Sequence, residues 1–198
     1  MTVQEVHDAL HDWAARLVSL GAVVVTRLRP GLTPADALET GRRLGYDLTD
    51  EVAALWTWRD GAAARRGGRP VHLAPGQEFE SLPDSLRRSR EYLDAAGPVG
   101  ASGRTPAGAL PWQPHWVVAV HGHALPLVLD GTRPGPDTFR YDPQAVPVSV
   151  AHSTLPQRIA RWHEMVDTGT WRIARDGSWD VDLARLPPTG HCVRTDVT

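Results

Sequence analysis

The feature that most constrains this chain is a change of period partway along it. Before about residue 96 the apolar residues recur three and four apart. From Trp116 onward they come in short, β-branched and aromatic runs separated by turn residues. Helices followed by strands give an α+β fold, because the strands need the earlier helices to cover a sheet face.

In the first half, Val3, Val6, Leu10, Trp13, Leu17 and Leu20 form one helical stripe that Gly21 ends. Ala22–Val25, with its β-branched residues, predicts a short strand or extended piece. Two short helices follow. Thr33 caps the first, with Pro34 at its first position and Asp36 completing a capping arrangement, and Gly45 stops it. The second starts near Thr49 and Asp50 and ends at Asp60-Gly61. Val52, Leu55, Trp56 and Arg59 share one side, with Trp58 off it. Residues 61–70 hold Arg65, Arg66 and Arg69 and little apolar content, which predicts a loop. Ser81, Pro83 and Asp84 mark another helix start, and the glycine- and proline-rich 97–111 stretch reads as an internal loop.

In the second half, strands are expected at Trp116–Val120, Ala124–Leu129, Thr138–Tyr141 and Val148–Val150. The first two are joined by a turn at His121-Gly122-His123, and Pro126 is a blemish in the second. Ser153–Val166 reads as a helix. Trp171 and Ile173, the turn Asp176-Gly177, then Trp179, Val181 and Leu183 predict a second hairpin. The expectation is a mostly antiparallel central sheet of about four to six strands flanked by short helices. Leu55, Trp56, Trp116, Val118, Leu127, Leu129, Ile159 and Trp162 are the expected core.

Composition narrows the function. A net charge of −2 with scattered arginines does not point to nucleic acid. Cys192 is the single cysteine, so no internal disulfide forms and a reducing compartment is compatible. MTVQEVHDAL lacks a signal-peptide pattern, and the longest apolar runs are too short to span a bilayer. The expectation is a cytoplasmic protein that uses no membrane.

The search for chemistry finds no strong constellation. His121 and His123 could chelate from one strand face with His115 or His152 as third ligand, but Gly122 between apolar strands favours a polar turn. His163-Glu164 lacks the second histidine of a zincin helix, and no nucleotide loop or nucleophile elbow is present. Cys192 has no rigid base beside it. Asp180 and Asp182 share a strand face but suit solvent better than a glycosidase pair. No catalytic residue, metal or cofactor is expected.

An ordered set of motifs resembles the SUKH superfamily, which includes bacterial immunity proteins and fungal cell-wall-assembly regulators. Pro30-Gly31 with a short helix leads to Gly45-Tyr46-Asp47-Leu48, where Thr49 stands in place of the family's proline. The next helix ends in Trp56-Thr57-Trp58-Arg59-Asp60-Gly61. Phe79 with Ser81-Leu82, Trp112, Trp116-Val117-Val118, Leu127–Asp130, Val148–Val150, Ser153 and Leu155 follow in the family's order. The resemblance covers about residues 31–166 of one SUKH-like domain spanning 1–198, with a hairpin extension at about 168–185. It implies protein binding without catalysis, and a toxin domain as the partner to be neutralised. By the same resemblance the working surface is a sheet face or groove and its loops, with Trp58, Trp112, Tyr141, Trp171, Trp179, Arg65, Arg66 and Arg69 as candidates. Two other readings compete: a regulatory scaffold for a cellular protein, and an enzyme or small-molecule binder built on the histidines.

Overall fold

A computed structural model describes residues 2–64, 71–96, 112–121, 126–131, 137–141 and 153–187. Helix α1 spans Val3–Ser19. Thr2 starts it with a capping box, its hydroxyl accepting from Glu5 N while its own N–H donates to the Glu5 carboxylate. Its buried face is the predicted stripe of Val6, Leu10, Trp13 and Leu17.

Val23–Arg27 forms a 3-10 turn, not the expected strand at 22–25. β-branched composition alone does not make a strand. This segment has no partner ladder until Leu28, which bridges to Ala62. Helices α2 (Pro34–Arg43) and α3 (Asp50–Trp58) start at the predicted caps, Thr33 and Thr49. Helix α3 is buried on nearly every side because it packs between α1 and α2, so Trp56 and Trp58 are both inside.

A small hairpin follows, β1 (His72–Ala74) with β2 (Gln77–Glu78), and then α4 (Leu82–Ala96). Asp60 Oδ1 accepts from Leu82 N at 2.8 Å, so the end of α3 caps the start of α4. The central sheet is an antiparallel meander of four strands, β3 (Trp116–Val120), β4 (Leu127–Asp130), β5 (Asp137–Arg140) and β6 (Ser153–Thr154). Pro126 precedes β4 and so removes no ladder bond. The expected strand at Val148–Val150 lies outside the described residues, as do Gly122 and His123.

Helix α5 (Leu155–Asp167) starts two residues later than the expected Ser153, which pairs in β6 instead. Thr154 is its cap, reciprocated by Gln157. The second hairpin pairs β7 (Trp171–Ile173) with β8 (Trp179–Val181), while Leu183, expected to continue the alternation, starts a 3-10 turn that Asp182 caps.

Both faces of the central sheet are covered, which explains why WVVAV reads as continuously apolar. Val117, Ala119, Leu127 and Leu129 join one core with residues of α1, α3 and α5. Trp116, Val118, Val128 and Phe139 face a second cluster with Trp112, Tyr141 and, from α4, Tyr92 and Leu93. The eight residues expected in the core are all buried, divided between these two clusters. The second hairpin packs on the first core, since Trp179 stacks parallel to Trp13 and donates its indole N–H to His72 O at 3.1 Å. Among the described residues no helix is long and apolar enough to cross a membrane.

Candidate functional site

The candidate site is a groove of about 370 Å³ where α1 meets the end of α3, lined by His11, Ala14, Val25, Leu28, Pro30, Trp58 and Arg59. Its walls follow from the chain path. His7 Nε2 lies 3.0 Å from both Ala54 O and Thr57 Oγ1, which fixes α1 against α3. One turn further along α1, His11 meets the Trp58 ring edge-on at 6.3 Å, and Ala14 leaves space beyond it.

The opposite wall is extended chain held against the end of α3. Leu32 N donates to Trp56 O, Arg29 N to Gly61 O and Ala63 N to Arg27 O. This close approach needs glycine: a Cβ on Gly31 would lie 1.9 Å from Thr57 O. Gly61 is required twice, by its φ of +75° and by backbone of Glu80 and Ser81 within 2.6 Å of where a Cβ would sit.

Trp58 has a dual place. Its ring is buried and stacks on Phe79 at 6.2 Å, yet it still forms part of the groove lining. Its Nε1 is buried with no hydrogen-bond partner. The Arg59 guanidinium lies 5.7 Å from the Trp58 ring centroid, and its Nη1 donates to Trp58 O at 2.9 Å. Arg59 and the exposed Arg27 and Arg29 pair with no carboxylate among the described residues. The neighbouring Asp60 is already committed to Leu82 N. The groove therefore combines an apolar lining with one arginine that forms no ion pair among the described residues.

The other sequence-derived candidates fall elsewhere. Trp112 and Tyr141 meet edge-on at 4.9 Å inside the second cluster, where Trp112 also stacks on Tyr92 at 4.7 Å. Trp171 is buried against the hairpin partner Trp179, which is half-buried. Trp112, Tyr141 and Trp171 are each between 3% and 6% exposed and are taken up by packing, whereas Trp58, equally buried, still contributes to the groove lining. Arg65, Arg66 and Arg69 lie outside the described residues.

The described histidines near the sheet do not converge. His115 sits 3.5 Å from Asp130 at one end of β3, and His121 bridges to Glu78 beyond the other end. A five-residue strand separates them by well over ~15 Å, too far to share a ligand. No group of three metal-ligating side chains occurs among the described residues. His123, His152 and Cys192 lie outside them. Burial holds His121 below the usual histidine range, and the nearby positive Arg88 adds to this. Asp182 accepts from Ala184 N and pairs with Arg172 and Arg185, so it is a structural cap and not half of a carboxylate pair with the exposed Asp180.

Sequence reasoning singled out Trp58 but missed His11 and Ala14. Their signal was a second stripe on α1, His7, His11 and Ala14, running beside the apolar one at the same four- and three-residue spacing. No known family model matches the chain, and no curated protein matches it.

Proposed function

We propose that this chain is a non-enzymatic protein-binding domain of the SUKH kind, acting in the cytoplasm as an immunity protein that neutralises a bacterial toxin. The observation that carries the binding reading is the groove at Trp58 and Arg59, with its apolar lining and an arginine that forms no ion pair among the described residues. An aromatic and an arginine at the edge of a concavity are the residue types that dominate binding energy in protein interfaces. The SUKH assignment is supported by the ordered motifs from Pro30-Gly31 to Leu155, and the α+β architecture agrees with it. Neutralisation then consists of covering the toxin's active site with this rigid domain.

The test is affinity capture with the tagged full chain from its native lysate, followed by co-expression of any captured toxin in a susceptible host. A stoichiometric partner whose toxicity the chain suppresses supports the reading. Capture of no toxin, or toxicity that persists despite a complex, removes the immunity role.

A further inference from the structure

We infer that the groove between α1 and α3 receives an acidic–apolar segment of a partner polypeptide, with an aliphatic or aromatic side chain on Ala14, Leu28 and Trp58 and an adjacent carboxylate on Arg59. This deepens the protein-binding reading and rests on it. Three observations select this occupant.

The first is size. A space of about 370 Å³ is at the lower end for small-molecule pockets and holds one or two side chains. The second is charge. Arg59, the arginine of the lining, has no carboxylate partner among the described residues, and Asp60 beside it in sequence turns its Oδ1 to Leu82 N. A guanidinium held on an indole face keeps donors for an incoming carboxylate, and its position is set before binding. The third is an unused donor. The Trp58 indole N–H lies buried in a residue of the groove lining and meets no acceptor.

The occupant is a peptide segment and not a nucleic acid. Phosphate backbones need a row of cations, whereas here the lining is five apolar residues beside one arginine and one histidine.

The experiment uses a displayed library of random twelve-residue peptides selected against the full chain. Binding of the enriched peptides is then measured on three variants. Arg59→Gln removes the carboxylate partner, Ala14→Glu places a negative charge in the groove, and Arg43→Gln removes an equal charge from the end of α2. The proposal expects enriched peptides with Asp or Glu beside a large apolar residue. It also expects at least tenfold weaker binding to Arg59→Gln and Ala14→Glu, and less than a twofold change for Arg43→Gln. Failure to enrich any peptide, enrichment of peptides without acids, or an equal loss with Arg43→Gln overturns it. The two readings separate cleanly. A captured toxin that binds Arg59→Gln and Ala14→Glu undiminished leaves immunity standing and ends the groove assignment. Groove-dependent peptide binding in a chain that suppresses no toxin does the reverse.

Discussion

The hydroxyl of Ser89 accepts a hydrogen bond from the backbone N–H of Val118 at 2.9 Å, and both residues are completely buried. Ser89 belongs to α4, and Val118 to β3, which is the outer strand of the central meander. The helix thus satisfies a strand edge that would otherwise expose an unpaired donor. The same hydroxyl donates to Ser85 O at 2.8 Å, so its proton is used as well. Replacing Ser89 with Ala leaves the Val118 N–H buried and unpaired. The expected cost is about 1–3 kcal/mol, read as a lower urea midpoint with an unchanged slope.

The second hairpin depends on Trp179. Its ring lies parallel to Trp13, and its N–H reaches His72 O across the core. Trp179→Phe keeps most of the ring and loses the bond, for a cost of about 0.5–1.5 kcal/mol. Trp179→Ala should cost more, roughly 2–3 kcal/mol for a half-buried aromatic. Limited proteolysis at the Asp176-Gly177 turn is the check. Cleavage in Trp179→Ala no faster than in the parent would contradict this anchoring role.

Gly31 is fixed by crowding. A methyl group there must push apart Leu28–Leu32 and the end of α3, since Thr57 O and Trp58 O both lie within 3 Å of the added carbon. Gly31→Ala is expected to destabilise by about 3 kcal/mol, lowering Tm by roughly 6–12 °C for a chain of this size. Calorimetry of the purified variant decides it, and an unchanged Tm would mean the crossing is looser than described.

Acid should loosen the junction between the small hairpin and β3. Burial first, and Arg88 second, lower the folded-state pKa of His121, while Glu80, Glu78 and Glu91 act against them. The folded protein therefore binds this proton more weakly than the unfolded chain does. The resulting stability is complete above the unfolded pKa of about 6.5 and is lost as pH falls below it, levelling off under the folded pKa. His121→Gln should flatten that part of the stability curve. Urea midpoints at successive pH values would show it, and parallel curves for parent and variant would count against the assignment.

The helices were legible because their ends are chemically marked. Thr33 with Pro34, Thr49, and the stripe from Val6 to Leu17 each specify a boundary or a face locally. The turn at 23–27 was not, because its residues favour a strand that no neighbour completes. Trp58 falls off the helical stripe in the sequence, and a single stripe cannot show that α3 is enclosed by both α1 and α2. The same limit applies to the site. Trp58 was recognisable as an unusual residue, but His11 joins it only through an interhelical contact fixed by His7 and Thr57.

The pairing of Trp13 with Trp179 also orders events in time. Helix α1 leaves the ribosome before α5 and the second hairpin do, yet the Trp13 side of it waits for Trp162 on α5 and for Trp179. At ~5–20 residues per second that delay is roughly 10–30 s. During it α3 can already cover one side of α1, while the Trp13 side that faces α5 and the second hairpin stays bare on the nascent chain and open to a chaperone.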